Sequence, residues 1–133
     1  MSENQRTLEN LLVDEQEVSE ELLYDLLNEY VRIGEQNGAL ITQGAFRDLV
    51  AKQKIVVVLL AQWARFDLEI AESEWLTPTE ISEQSGIKSG TVNPGVRNLD
   101  EESLVEDDGG RYRLPARNFE RAREYIQGGD EDE

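Results

Sequence analysis

From residue 17 to residue 33 apolar side chains return every three or four positions. Val18, Leu22, Leu23, Leu26, Leu27, Tyr30 and Val31 alternate with Glu and Asp, a spacing that predicts an amphipathic helix. Leu8, Leu11 and Leu12 predict a short helix before it. Asn37-Gly38 marks a break, and Thr42-Gln43-Gly44 a second. A long helix is expected over 45–71, with Phe46, Leu49, Val50, Val57, Val58, Ala61 and Phe66 among its apolar positions. Its middle is apolar all round, as in a central buried helix. The β-branched run from Ile55 to Leu60 also fits a buried strand, but no turn residues bound it, which favours helix.

The next segment carries clearer punctuation. Thr77-Pro78-Thr79-Glu80 combines a capping Thr, a Pro suited to the first helical position and a Glu that completes a capping box. The helix so begun, 78–85, ends at Gly86, the residue that best tolerates a left-handed helix terminus. Ser89 can cap a second helix, 89–102, whose Val92, Val96 and Leu99 share one face. Gly90, Pro94 and Gly95 are poor helix formers, so an alternative start has Asn93 as cap and Pro94 as first residue. Leu104-Val105-Glu106 and Arg111-Tyr112-Arg113-Leu114 are strand-like, and Asp107-Asp108-Gly109-Gly110 forms the turn of a hairpin over 104–114. A last helix is expected over 116–126. The fold class is therefore mainly α with a small β-hairpin.

Residues Thr79-Glu80-Ile81-Ser82, Gly86-Ile87, Thr91-Val92, Val96-Arg97-Asn98-Leu99, Leu104-Val105 and Tyr112-Arg113-Leu114 together resemble the winged helix-turn-helix of MarR- and ArsR-like regulators. The resemblance covers about 40 of the 133 residues and is specific for the fold more than for one family. It implies a winged helix-turn-helix with additional N-terminal helices, in which the second helix enters the major groove of double-stranded DNA and the hairpin wing meets the backbone. On that basis the DNA-binding candidates are Lys88, Ser89, Thr91, Asn93, Arg97 and Asn98 on the helix, with Arg111 and Arg113 on the wing. Ser89 and Thr91 suit phosphates, whereas Asn93 and Arg97 suit base edges. Ser103 stands where such domains usually place Gly between helix and wing.

Charge sharpens this expectation. The chain has 29 acidic and 13 basic residues, a net charge of −16. Half of it falls in residues 1–37, which hold ten acids and two Arg. Residues 84–99 and 109–119 contain no acid. These stretches coincide with the presumed recognition helix and wing, as if carboxylates were excluded from a phosphate-facing surface. A third acid-free stretch, 49–66, is explained by burial. Asp100, Glu101, Glu102, Asp107 and Asp108 flank the surface and would repel phosphate at low salt. The acidic, Lys-poor composition, with three Lys against ten Arg, resembles that of salt-in halophilic archaea, where molar salt screens self-repulsion. An ordinary acidic bacterial protein is the alternative.

The absence of Cys and His excludes disulfides, thiol nucleophiles, Ser-His catalysis and the usual zinc sites. No carboxylate pair has an apolar or Gly-rich setting that would mark an active site, so no enzyme, metal or cofactor is expected. No apolar run approaches the roughly 18 residues of a membrane span, and a soluble cytoplasmic protein is expected. Three segments follow: an acidic helical extension over 1–44, a winged domain over 45–127, and a disordered acidic tail over 128–133. Regulators of this class pair two half-sites as dimers. Leu22, Leu23, Leu26, Leu27 and Tyr30 are the candidate homodimer interface; packing on the 45–71 helix of the same chain is the alternative. A winged module that binds a protein partner, with Trp63, Phe66 and Trp75 as its surface, is the competing function.

Overall fold

A computed structural model describes residues 7–128. Of the acidic tail, residues 129–133 lie outside the described part. The described chain is mainly helical, with six α-helices and two antiparallel two-stranded hairpins. In order these are α1 (Glu15–Leu27), β1 (Val31–Ile33), β2 (Leu40–Thr42), α2 (Gly44–Arg47), α3 (Ala51–Asp67), α4 (Pro78–Ser85), α5 (Ser89–Glu101), β3 (Glu106–Asp108), β4 (Arg111–Arg113) and α6 (Phe119–Gln127). Short 3-10 turns occupy Leu8–Leu11 and Ala116–Asn118.

The centre is α3, in which every residue from Ile55 to Ala61 is fully buried. α1, α4, α5 and α6 all pack against it, which is why its middle is apolar all round. The β-branched run is therefore helix, as its lack of turn residues indicates. Each layer contributes to one core that extends from Leu23 to Ile126, across the boundary at residue 44. Gln53 joins the two ends of this core: its Oε1 accepts from the Val50 amide, and its Nε2 donates to the Tyr125 and Ile126 carbonyls at 3.2 Å.

Two helix expectations need correction. The helix expected over 17–33 ends at Leu27, and Val31–Ile33 form a strand paired with Leu40–Thr42, Val31 opposite Thr42. The Asn37-Gly38 break is the turn of this hairpin: the Gly34 amide donates to the Ala39 carbonyl, and Gly38 adopts a φ of 71°. Val31, Ile33, Ile41 and Thr42 are β-branched and favour the extended chain. Tyr30 and Val31 are buried in either conformation, so periodicity did not separate the two. The helix expected over 45–71 is divided into α2 and α3, because Val50 is extended (ψ 166°) and restarts the helix as the N-cap of α3.

α4 follows its sequence signals closely. The Thr77 amide donates to Glu80 Oε1 at 2.9 Å and Thr77 Oγ1 accepts from the Glu80 amide at 3.2 Å, closing the capping box. Gly86 ends the helix with a φ of 79°. α5 begins at Ser89, with Lys88 as its N-cap, and carries Pro94 inside it, so the alternative start at Asn93 does not occur. Ser89 is thus the first helical residue rather than the cap. Gly95 permits the crossing of α5 over α3, since a Cβ there would lie 2.8 Å from Ile55 Cδ1.

Beyond α5 the chain reverses through a Schellman turn. The Leu104 amide donates to the Leu99 carbonyl at 3.0 Å and the Ser103 amide to Asp100 at 2.9 Å, with Ser103 at a φ of 65°. Gly109 and Gly110, both at positive φ, close the second hairpin and set Asp108 opposite Arg111, Asp107 opposite Tyr112 and Glu106 opposite Arg113. Leu76 adds a further pairing, exchanging both backbone hydrogen bonds with Tyr112. The hairpin is anchored ahead of α4 as well as behind α5.

Candidate nucleic-acid interface

α5 buries Val92, Gly95, Val96 and Leu99 against α3 and α4. Helical geometry then dictates what faces outward. Ser89, Gly90, Thr91, Asn93, Pro94 and Arg97 are exposed, and Lys88 lies just before them at the N-cap. The structure therefore brings five of the six helix candidates, Lys88, Ser89, Thr91, Asn93 and Arg97, to the outer side of α5. Asn98 is different. It is half-buried and its Oδ1 accepts from Lys52 Nζ, so it ties α5 to α3. Its place next to Arg97 in sequence is a third of a helical turn away in space.

The outer stripe also contains Gly90 and Pro94, which carry no polar side chain. Pro94 has no amide hydrogen and leaves the Gly90 carbonyl without its usual i+4 donor. Asn93 Nδ2 donates to the Ser89 carbonyl at 3.0 Å, one residue before the carbonyl that Pro94 leaves without its donor.

The two arginines expected on the wing, Arg111 and Arg113 of the second hairpin, are not equivalent. Arg111 is exposed at the start of β4, with its guanidinium carbon 5.8 Å from the centre of the Trp75 ring. Arg113, 4.7 Å from the same ring, is held by Glu74 and Glu106, both at 2.8 Å. Arg117 also reaches Glu106. The hydrogen bonds from Arg117 and then Arg113 hold the Glu106 carboxyl below the usual carboxylate range. For Arg113 burial acts to lower the pKa, but the bonds and charges of Glu106 and Glu74 outweigh it and raise the value. The charge of Arg113 is therefore largely neutralised. By contrast, none of Lys88, Arg97 and Arg111 forms a salt bridge among the described residues.

Sequence reasoning missed the restraint on Arg113, although its signal was present. A two-residue Gly-Gly turn fixes the register, and that register places Glu106 directly opposite Arg113. Glu74 and Lys52 come from distant parts of the chain and had no local signal.

Of the candidate dimer residues, Leu23, Leu26, Leu27 and Tyr30 are buried and Leu22 packs partly buried against the core. The α1 face they form lies on α3 and α6 of the same chain. Burial raises the Tyr30 pKa, with the neighbouring Glu29 adding to the effect. The three aromatic residues of the competing reading sit apart in function: Trp63 packs edge-on against Phe119 at 5.0 Å, Trp75 lies under the wing arginines, and Phe66 is exposed.

No protein-family model, curated protein or solved structure matches this chain. No helix among the described residues is long and apolar enough to cross a membrane.

Proposed function

We propose that residues 76–115 form a winged helix-turn-helix that binds double-stranded DNA, with α5 in the major groove and the β3–β4 hairpin against the backbone, and that the protein regulates transcription. The order capped helix, three-residue turn, second helix and hairpin supports this reading. The observation that carries it is electrostatic. In a chain of net charge −16, the outer side of α5 carries Lys88 and Arg97 with no acid between them, and Arg111 stands on the hairpin; none of the three forms a salt bridge among the described residues, while Asp100 and Asp107 lie where α5 meets the hairpin and Asp108 stands opposite Arg111. Backbone-contacting cations are what DNA affinity requires. Lys88, Ser89, Thr91 and Arg111 are assigned to phosphates, and Asn93 and Arg97 to base edges. Arg113 and Asn98 are assigned to holding the wing and α5 in place.

The test is fluorescence polarisation with genomic DNA fragments, from low salt to molar KCl, on wild type, Arg97→Ala and Arg111→Ala. Arg97→Ala should cost about 1–3 kcal/mol and relax preference at one base position. Arg111→Ala should weaken all sequences alike and reduce the salt slope by about one. Equal, sequence-independent losses would reject base reading by Arg97, and no binding by wild type at any salt would reject the assignment.

A further inference from the structure

The N-terminal segment and the edge of the α1 core face, where α1 meets β1 and the end of α3, present two apolar surfaces that no described residue covers. The first is the segment leading into α1, where Leu8 is 82% exposed, Leu11 74%, Leu12 79% and Val13 63%. Four large apolar side chains in water within the six residues 8–13 are far outside the scatter of single exposed leucines on a normal surface. The second is a groove of about 360 Å³ between α1, β1 and the end of α3. Tyr24, Leu27, Val31, Ile33, Trp63 and Leu68 form its walls, and Leu68 remains 60% exposed.

We infer that these two surfaces belong together across a dimer: the apolar segment 8–13 of each copy lies in the α1–β1–α3 groove of the other. A two-fold axis makes the exchange reciprocal, each copy giving a segment and receiving one. Area favours a second copy as the occupant. Eight apolar side chains at about 100 Å² each, with a comparable area of groove wall, exceed the roughly 1,000 Å² of a specific interface. Charge does not drive the fit: the segment contributes Glu9, the groove rim carries Arg32 with Glu20 and Asp67, and the net repulsion is screened at high salt. Of the Leu-rich α1 face, this interface uses only the edge at Leu23 and Leu27 that borders the groove, and it does not depend on nucleic acid.

The experiment is sedimentation equilibrium on the full chain without DNA, at high micromolar concentration and high salt. Wild type should sediment at twice 15.1 kDa. The double variant Leu11→Asp/Leu12→Asp removes the segment, and Leu68→Asp blocks the groove. All three side chains are exposed, so both variants should keep the wild-type circular dichroism spectrum and sediment as monomers, with a melt lowered only by the lost association. A mixture of the two variants restores one intact segment and one intact groove, and it should recover dimer that neither variant forms alone. Recovery on mixing distinguishes exchange from a symmetric contact between like faces. A monomeric wild type, a Leu11→Asp/Leu12→Asp variant that remains dimeric, or a mixture that stays monomeric would each overturn the proposal. A monomer whose Trp63 fluorescence changes in the Leu11→Asp/Leu12→Asp variant would show the segment folded onto its own groove, which also overturns it.

Discussion

On the proposed DNA-binding reading, replacing Glu106 by Gln should tighten DNA binding while making the protein less stable. Glu106 accepts from Arg113 and Arg117, and Gln in its place keeps an acceptor for strand pairing but loses the negative charge. Its side chain is 29% exposed, so each ion contact is worth about 0.2–1 kcal/mol and their joint loss about 1 kcal/mol, or a fall in Tm of about 4 °C. The penalty depends on pH with a definite sign. Because folding depresses the Glu106 pKa, its stabilisation is complete above the ordinary carboxylate range. It is lost as pH falls through the depressed value. The Tm difference between wild type and variant should therefore shrink in acid. Binding should respond in the opposite direction: one carboxylate is removed from the wing, and Arg117 is released toward phosphate. The plot of log affinity against log salt should steepen by about one, with several-fold tighter binding at low salt. Polarisation titrations and thermal melts on the same samples measure both. Unchanged affinity with an unchanged salt slope, despite the Tm loss, would show that the wing does not face phosphate.

Three further outcomes concern the scaffold. Ser103→Gly should stabilise the protein by about 0.5–1 kcal/mol in thermal melts, since Ser103 holds a φ of 65° and its exposed side chain gives little to packing; an unchanged or lower Tm would contradict the strain assigned to that turn. Thr77→Ala should cost about 1 kcal/mol in denaturant unfolding, by opening the capping box of α4. Arg65→Lys should cost about 2–3 kcal/mol, because an ammonium cannot reproduce the planar fork that reaches Gly38, Gln62 and Gln84 together.

The elements legible in the sequence were those whose ends carry their own chemistry. Thr77, Pro78, Glu80 and Gly86 defined α4, and Gly109-Gly110 defined the second hairpin, because caps and positive-φ turns depend on a few adjacent residues. The first hairpin was hidden because Tyr30 and Val31 continue the apolar rhythm of α1, and nothing in that rhythm distinguishes a buried strand from one more helical turn. The division between α2 and α3 was hidden likewise, since Val50 is an unremarkable residue until its extended backbone is seen. At the candidate site the outer face of α5 followed from helical spacing, with Asn98 misplaced by one position around the helix. The neutralisation of Arg113 combines a legible partner, Glu106, with an illegible one, Glu74, which only the fold brings to the wing.

Arg65 has a consequence for how the molecule opens. Its guanidinium is buried on α3 and meets no carboxylate among the described residues; it donates instead to the Gly38 carbonyl at 3.0 Å, to Gln62 at 2.7 Å and to Gln84 at 2.6 Å, with its Nε unpartnered. Desolvation lowers its pKa. If the first hairpin frays, the Gly38 acceptor is lost; if α4 lifts, the Gln84 acceptor is lost; either event strands a cation in the interior. Partial opening is thus penalised from both sides. Amides of the first hairpin and of α4 should exchange with solvent deuterium as one cooperative unit, at a free energy close to that of global unfolding, although the two elements are some forty residues apart and share no backbone pairing.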